Sequence, residues 1–356
     1  MTRKIRVLIV DDSLFMRAAI AKALAGGPFE VVGQAKDGSD AVAQIVRLAP
    51  DVVTMDFNMP GMTGADAVRQ VMQQRPTPVV MFSAHTKQGA KETFDALSAG
   101  AVDFLTKPAG EVSVDLSKIA DELIRKLIAA AQARPRPASP PPPPSRPSGS
   151  YAARSISMTG MSAAGPGVGP GNLPRLCIIA ISTGGPAALS EVIPALPPDL
   201  RVAVIIVQHM PAGFTATLAE RLDASSRVSV AEAADGDRPV PGQVLIAPGD
   251  RHLELDDRGL VVLRDGPLVH GCRPAADVTM LSAARVYGRR CLAIVMTGMG
   301  KDGAAGALAI KRADGKTLAQ DQATSVIYGM PKAAIDLGAI DEIAALSDIA
   351  AWMRYS

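Results

Sequence analysis

Short apolar runs alternate with helix-like segments in two parts of the chain, and a middle segment interrupts this pattern. In the first part the apolar runs occupy residues 5–10, 30–35, 51–56, 78–83 and 101–106, and helix-like segments start at Ser13, Gly38, Gly64 and Lys87. In the second part the runs occupy residues 176–182, 202–209, 243–248, 260–265 and 291–297. Strands that alternate with helices through short crossovers form doubly wound parallel sheets. We therefore predict a five-stranded parallel α/β domain, followed by a mainly parallel α/β domain with an antiparallel hairpin around Asp256–Gly259.

The segment that interrupts the pattern spans residues 132–172 and differs in composition from the rest of the chain. It contains ten prolines, four arginines and no acidic residue, and it includes the run SPPPPPS. Because it has almost nothing apolar to bury, we expect a disordered or polyproline tether rather than a proline-rich ligand for a partner domain. The predicted organisation is a first domain at residues 1–131, this linker, and a second domain at residues 173–356.

The composition is that of a globular chain, and it argues against several classes of partner. The net charge of +2 gives no reason to expect nucleic acid, and no apolar run reaches the roughly 18 residues of a membrane span. The basic and apolar N-terminus leads directly into two aspartates, unlike a signal peptide. Cys177 and Cys291 lie in apolar runs typical of buried thiols, and the four histidines have no partner at zinc-ligand spacing. We expect a cytoplasmic protein that neither inserts into membranes nor binds nucleic acid, and we expect a monomer.

Polar side chains follow four of the apolar runs in the first domain. Asp11 and Asp12 follow the first run, and the ends of later runs carry Asp56, Ser83 and Lys107. Because the carboxyl ends of parallel strands form the ligand edge of an open sheet, these side chains should meet there. Three carboxylates repel each other unless a cation lies among them, and hard oxygen ligands suit Mg²⁺. A hydroxyl and an ammonium group opposite them suit a transferred phosphoryl group. Helix caps and surface charges would explain one such residue, but not all five together.

These residues stand in the motifs VDDS, MDFNMP, FSA and LTKP, and over about residues 1–125 the chain resembles a response-regulator receiver domain, which has a flavodoxin-like fold. The resemblance implies that a chemotaxis histidine kinase phosphorylates Asp56. It implies that Mg²⁺ binds Asp12 directly, Asp11 through a water molecule, Asp56, and the backbone carbonyl of Asn58. It also implies that Ser83 and Lys107 sense the phosphate and that Phe104 takes the place of the aromatic switch residue.

A serine lies at a tight turn between an apolar run and a helical pattern in the second domain. Ser182 ends the run LCIIAIS, His209 ends the next buried run, and Asp302 follows the run CLAIVMT. Three strand-end residues with the chemical types of nucleophile, base and orienting acid favour acyl-transfer chemistry. The alternative interpretation is a helix cap at Ser182 and a structural histidine at His209. His252 and His270 are weaker candidates for the base, because neither follows a strong buried run.

The turn around Asp302 also contains the pattern G-x-G-x-x-G, at Gly298, Gly300 and Gly303. In a dinucleotide-binding domain that pattern follows the first strand, and an acidic residue ends a second strand about 20 positions later. Here the pattern comes late in its domain, and Asp321, near that distance, does not end an apolar run. We therefore favour a turn that approaches a substrate carbonyl, and a dinucleotide-dependent oxidoreductase remains the alternative.

Motifs throughout residues 173–356 resemble those of the chemotaxis protein-glutamate methylesterases, the CheB family: AISTGG, VQHM, APGD, RPAAD, MTGMGKDG and YGMP. A receiver, a linker and this domain, in this order, is also that family's architecture. The resemblance implies hydrolysis of glutamate methyl esters on methyl-accepting chemoreceptors with release of methanol, deamidation of receptor glutamines, and no cofactor for the esterase reaction.

By residue match, the resemblance makes Ser182 the nucleophile and His209 the general base and acid. It makes Asp302 the orienting carboxylate, and the backbone N–H groups of Thr183 and Met299 the oxyanion donors. Ala275 replaces the serine that is usual in the RPS motif, and that loop is given no catalytic role.

A receiver joined to a hydrolase predicts phosphorylation control, in which the unphosphorylated receiver covers the catalytic cleft and phosphorylation at Asp56 releases it. A response regulator whose output domain only binds a partner, and hydrolyses nothing, is the remaining alternative. A DNA-binding output is disfavoured by the weak net charge and by the lack of an evident helix-turn-helix.

Overall fold

The computed structural model describes residues 3–84, 86–107, 119–133, 173 and 175–355. The strands of the first domain are β1 (Ile5–Val10), β2 (Phe29–Ala35), β3 (Val52–Asp56), β4 (Val79–Ser83) and β5 (Asp103–Thr106). Its helices are α1 (Leu14–Leu24), α2 (Gly38–Leu48), α3 (Gly64–Gln74), α4 (Lys87–Ser98) and α5 (Ala120–Ala131). Each of the first four helices begins after a side chain that accepts a hydrogen bond from a first-turn N–H: Ser13, Asp37, Thr63 and Thr86. The five predicted strands are confirmed to within two residues at their ends, and the helix starts at Gly38, Gly64 and Lys87 are confirmed. The first helix starts at Leu14, one residue after the predicted Ser13, which is its cap.

The five strands of the first domain are parallel and lie in the order β2-β1-β3-β4-β5. Residues of α1 and α5 pack on one face of the sheet, and residues of α2, α3 and α4 pack on the other. This cover explains why β3 and β4 are buried along their whole length. The strand order reverses between β1 and β3, so the carboxyl ends of these two strands flank the crevice where ligands bind in such sheets.

The second domain contains nine strands and six α-helices among its described residues. The strands are β6 (Arg175–Ile181), β7 (Val202–Gln208), β8 (Ser229–Glu232), β9 (Gln243–Ile246), β10 (His252–Leu255), β11 (Val261–Arg264), β12 (Cys291–Val295), β13 (Lys316–Gln320) and β14 (Glu342–Ala344). The helices are α6 (Gly185–Val192), α7 (Phe214–Ser225), α8 (Ala276–Tyr287), α9 (Ala304–Arg312), α10 (Gly329–Asp336) and α11 (Ile349–Tyr355).

Seven of these strands form one parallel sheet in the order β14-β13-β12-β6-β7-β9-β8. The chain builds outward from β6 through β7, then returns to the other side of β6 with β12. The order therefore reverses between β6 and β12, and the central strands are buried on both faces. The carboxyl ends of β6, β7 and β12 meet at this reversal and carry the predicted catalytic residues.

The predicted antiparallel element is confirmed as the hairpin β10–β11, in which Leu255 pairs with Val261. Three strands of the sheet were not expected from the apolar pattern. β8 and β14 are short and lie at the two edges, where few side chains need to be apolar. β13 is buried although it carries Thr317 and Gln320, whose side chains make hydrogen bonds inside the fold.

Nearly all of the predicted linker, residues 134–172, lies outside the described residues. Within the described part of the chain, no helix combines the length and the apolar character needed to cross a bilayer.

The two domains share a buried seam. Phe104 of β5 stacks on Phe214 of α7, with ring centroids 4.7 Å apart, and both rings belong to one continuous apolar cluster that includes Phe94. At the rim of the seam, Arg221 of α7 lies over the Phe94 ring and pairs with Asp95 at 2.8 Å. The α4–β5–α5 side of the first domain therefore packs directly on the second domain.

Candidate active site

Ser182 lies in the turn that connects β6 to α6, at the reversal point of the large sheet. Its backbone N–H donates to the Thr297 carbonyl at 3.0 Å, which ties the turn to the end of β12. Gly184 adopts φ of 79°, and a Cβ there would approach the Val326 Cβ to 2.7 Å. The turn therefore requires glycine at this position both for its backbone conformation and for its close packing. The Ser182 side chain is left half-buried beside the helix N-terminus.

His209 and Asp302 form a close pair at the ends of β7 and β12. The His209 Nε2 lies 2.6 Å from Asp302 Oδ2, and Asp302 is 1% exposed. The backbone N–H groups of Ala276 and Asp277 also donate to Asp302, at 2.6 and 2.9 Å. Burial works against the Asp302 charge, but its hydrogen bonds with His209 and the two N–H groups outweigh burial and lower its pKa. These hydrogen bonds favour the ionised form of Asp302, whose carboxylate lies against His209 Nε2.

The other ring nitrogen of His209, Nδ1, faces the sulfur of Cys272 at 3.6 Å. Burial lowers the pKa of His209, but the hydrogen bonds to Asp302 and Cys272 outweigh it and raise that pKa to about 9. Among the described residues, no hydrogen bond joins the Ser182 hydroxyl to His209. Because Asp302 holds Nε2, Nδ1 is the nitrogen through which His209 can reach Ser182, and here it faces Cys272.

Two backbone N–H groups beside Ser182 are available to an oxyanion. Neither the Thr183 N–H nor the Met299 N–H donates to any acceptor among the residues that the structure describes.

The two histidines that compete with His209 for the role of base have other partners. His252 Nε2 lies 2.9 Å from the Pro267 carbonyl, and His270 Nε2 lies 2.8 Å from Asp277 Oδ2. Of the three, only His209 lies at the carboxyl end of a strand next to β6.

The first domain reaches the turn that holds Ser182. The hydroxyl of Thr183 donates to Asp103 Oδ2 at 2.5 Å, and Asp103 lies on β5 of the first domain. Lys126 of α5 pairs with the other Asp103 oxygen at 2.8 Å and lies 5.5 Å from the centre of the Phe104 ring. Burial works against the Lys126 charge, but Asp103 and Glu122 outweigh it and raise the pKa of Lys126. A charged pair from the first domain is therefore buried against the candidate catalytic turn.

The predicted acidic cluster of the first domain assembles at the ends of β1 and β3. The carboxylates of Asp11, Asp12 and Asp56 offer oxygen atoms within 4.8 Å of one another, which suits a single hard cation such as Mg²⁺. Lys107 Nζ lies 2.9 Å from Asp56 and 3.2 Å from Asp11. Burial raises the pKa of Asp56 to about 6, although Lys107 acts in the opposite direction. Asn58, whose carbonyl is the fourth expected ligand, lies two residues after Asp56 on the exposed loop.

Ser83 and Phe104 lie away from the Asp56 carboxylate in this arrangement. The Ser83 hydroxyl donates to the Gly89 carbonyl at 3.0 Å and accepts from Thr93 at 2.6 Å, both on α4. Among the described contacts, Ser83 has none with Asp56. Phe104 is 5% exposed and is packed into the seam between the domains. The Ser83 hydroxyl is thus directed into α4 and the Phe104 ring into the seam, and neither has a described contact with Asp56.

Known proteins resemble this chain in both of its domains. A family model described as CheB methylesterase matches residues 177–353, and one described as response regulator receiver domain matches residues 7–116. The protein-glutamate methylesterase/protein-glutamine glutaminase of Symbiobacterium thermophilum is 46% identical, with coverage of 98% of this chain and 96% of the relative. The protein of the same name from Pyrococcus abyssi is 43% identical, with coverage of 98% and 92%. The chain belongs to the CheB methylesterase family.

The solved catalytic domain of the Thermotoga maritima CheB methylesterase matches with a TM-score of 0.50 and 41% identity, covering 51% of this chain and 98% of that domain. In this CheB methylesterase family member, the glycine pattern at 298–303 is the turn after β12 that delivers Asp302 to His209. Gly300 and Gly303 have φ of 95° and 87°, so the turn uses them for backbone conformation.

Sequence reasoning missed several residues of the CheB-family site. The loop after Pro274 was given no role, but its backbone holds Asp302. Asp103 and Gln208 were also missed, although each is a polar residue inside a buried apolar run, and such a residue requires a partner. Cys272 gave no signal in the sequence, because its contact with His209 depends on how a remote loop folds.

Proposed function

We propose that this CheB methylesterase family member hydrolyses glutamyl methyl esters on the helices of chemoreceptors, deamidates receptor glutamines by the same chemistry, and is activated by phosphorylation of its receiver domain. The observation that carries the proposal is the 2.6 Å contact between Asp302 and His209 at the carboxyl end of β7, next to the Ser182 turn of β6. The names of the full-length relatives support the methylesterase and glutaminase activities.

In the proposed reaction His209 accepts the Ser182 proton at Nδ1 while Asp302 holds Nε2. The Ser182 oxygen attacks the ester carbonyl, and the Thr183 and Met299 N–H groups stabilise the tetrahedral oxyanion. The C–O bond to the methoxy group then breaks, and His209 returns the proton so that methanol leaves. Water attacks the acyl-enzyme while His209 accepts its proton. The bond between the Ser182 oxygen and the acyl carbon then breaks, and His209 returns the proton to Ser182, which releases the receptor glutamate. With glutamine, ammonia replaces methanol as the leaving group.

Control would begin at Asp56, with a histidine kinase as phosphodonor. Asp11, Asp12, Asp56 and the Asn58 carbonyl would hold Mg²⁺, which supplies charge neutralisation for the phosphoryl group. Lys107 already contacts Asp56, so it is placed to follow a new charge on that carboxylate. Ser83 would turn from the Gly89 carbonyl toward the phosphate, and that change would alter the α4–β5 side of the receiver.

The inhibited state we propose is the packed arrangement of the two domains. The receiver's Asp103 binds the Thr183 hydroxyl, and Phe104 is stacked on Phe214 in the same seam. A receptor helix could not reach the Ser182 turn while these contacts persist. Phosphorylation would shift the equilibrium away from the packed arrangement, because the phosphate changes the elements that form the seam.

The proposal is tested by methanol release from labelled, methylated receptor membranes, with and without a small phosphodonor and Mg²⁺. We expect the phosphodonor to raise the activity of the full-length protein, and Asp56→Asn to remove that increase while keeping the basal rate. Ser182→Ala should lose activity by several orders of magnitude. Undiminished release from Ser182→Ala would contradict the catalytic assignment, and an unchanged rate with phosphodonor would contradict the control.

A further inference from the structure

Gln208 joins the backbone of the nucleophile turn to that of the base. It is the last residue of β7, and it is 2% exposed. Its side-chain Nε2 donates to the Ser182 carbonyl at 3.0 Å and to the His209 carbonyl at 3.2 Å. One amide group therefore contacts both residues between which the reaction transfers a proton.

The hydrogen bond to Ser182 also fixes the neighbouring peptide. In a trans peptide the C=O and the following N–H point in opposite directions. The Ser182 carbonyl accepts from Gln208 and also from the Gly185 N–H at 2.8 Å. With its carbonyl held on one side, the Ser182–Thr183 peptide turns the Thr183 N–H to the other side, away from Gln208. That N–H has no acceptor among the described residues, as an oxyanion donor requires.

The second oxyanion donor is held in the same way by backbone alone. The Gly298 carbonyl accepts from the Met330 N–H at 2.8 Å, so the Met299 N–H of that peptide points away from α10. In both cases a hydrogen bond to the carbonyl of the same peptide, Ser182 or Gly298, fixes the direction of the N–H group. At the Ser182 carbonyl the Gln208 side chain adds to the backbone donor of Gly185, so a substitution of Gln208 removes one of the two hydrogen bonds that hold this peptide.

Stability alone does not account for a glutamine at this position. The Gln208 Oε1 is buried and has no hydrogen-bond partner among the described residues. A Cβ on Gly185 would lie 2.0 Å from that oxygen, so the amide fills the space that the glycine leaves. A buried carbonyl oxygen without a partner is destabilising, and an apolar side chain of similar size would avoid it. What distinguishes glutamine from such a side chain here is its donor, which makes both hydrogen bonds to the carbonyls.

We propose that Gln208 is a positioning residue that aims the Thr183 N–H at the oxyanion of the tetrahedral intermediate. This inference rests on the proposed function, because it takes Ser182 as the nucleophile. A misaimed donor weakens binding of the transition state more than binding of the substrate. Removing one oxyanion donor outright typically costs about 10²–10³ in rate, so misaiming it should cost roughly tenfold to a hundredfold.

The test uses the full-length protein activated with a phosphodonor and Mg²⁺. In Gln208→Met the side chain keeps its approximate length and loses its donor. We expect kcat for methanol release to fall at least tenfold while KM stays within twofold and the unfolding temperature does not fall. The rate at which a fluorophosphonate labels Ser182 should fall in parallel, since that reaction also develops charge on oxygen. A kcat within twofold of the wild type, or a loss shared by KM and the unfolding temperature, would overturn the inference.

A second variant, at Gly185, disturbs the same Gln208 side-chain amide. In Gly185→Ala the new methyl group would displace the Gln208 amide from the two carbonyls, so it should reproduce the kcat loss. The double variant should be no slower than the slower single variant, because both remove one interaction; fully additive losses would contradict the inference. Ser182→Ala distinguishes failure of the proposed function from failure of the inference about Gln208. Activity in Ser182→Ala would contradict the proposed function. An inactive Ser182→Ala together with a normal Gln208→Met would contradict only the positioning role of Gln208.

Discussion

The Asp103 carboxylate of the receiver accepts a hydrogen bond from the Thr183 hydroxyl at 2.5 Å, one residue after the candidate nucleophile. Thr183 is 5% exposed, and Asp103 is 7% exposed. Thr183 therefore belongs both to the seam that joins the domains and to the candidate active site. In the proposed mechanism, a carboxylate placed here would also oppose the negative charge that develops on the oxyanion beside the Thr183 N–H.

Removing this carboxylate should activate the unphosphorylated enzyme. A hydrogen bond to a charged group contributes about 1.5–3 kcal/mol, so Asp103→Ala should shift the packed and released arrangements by about tenfold or more. We expect basal methanol release to rise about tenfold in the full-length protein. The further increase caused by a phosphodonor should shrink correspondingly, because the variant is already largely released.

The matched control is Asp95→Ala, which removes a different ion pair across the same seam. The Asp95 and Arg221 side chains are 52% and 39% exposed, and exposed pairs contribute little. Basal activity in that variant should stay within about twofold of the wild type. Equal activation by both substitutions would mean that the seam as a whole, rather than the contact with Thr183, restrains the enzyme.

The contact between His209 Nδ1 and Cys272 predicts the pH dependence of the reaction. His209 must be neutral to accept the Ser182 proton, and its pKa is raised to about 9 because the hydrogen bonds to Asp302 and Cys272 outweigh burial. Activity should therefore rise with pH through neutral values and level off near this pKa. In Cys272→Ala the sulfur's contribution is lost, so the rising limb of kcat/KM should move to lower pH. Methanol release, measured across the pH range for the wild type and for Cys272→Ala, gives the position of the rising limb in each protein.

Cys291→Ala is the control for the loss of a thiol as such. Cys291 is buried on β12 and makes no described contact with His209, so its removal should leave the rising limb in place even if it lowers stability. An unshifted limb in Cys272→Ala would show that the sulfur does not influence the base. Loss of all activity in Cys272→Ala would instead show that the sulfur is required to hold the His209 ring.

The candidate site residues that lie at the carboxyl ends of strands could be predicted from the sequence. Ser182, His209 and Asp302 could be named because apolar runs mark buried parallel strands, and the residues after such runs meet at one edge. The same reasoning found the Asp56 cluster. These predictions need only the order of elements along the chain, and a long apolar run determines that order well.

The contacts between distant parts of the chain could not be predicted from the order of apolar runs. The pairing of Asp103 with Thr183 depends on how two domains pack across a linker, and no periodicity encodes that packing. The Cys272 contact depends on a turn in which His270 and Gly271 both adopt positive φ. β13 was missed because a strand with polar residues can be buried when each of them finds a partner.

The buried Asp56 carboxylate should reduce stability at neutral pH. Its pKa is raised from 3.8 to about 6 by burial, with Lys107 acting in the opposite direction. Between these values the folded state binds more protons than the unfolded state, so stability falls as the pH rises through this window and stays lower above it. Asp56→Asn should therefore raise the free energy of unfolding by about 1–3 kcal/mol at pH near 7.5 and have little effect near pH 4. Thermal unfolding of the full chain at the two pH values measures this. Mg²⁺ should stabilise the wild type more than the variant. Equal gains at both pH values would contradict a charge-based cause.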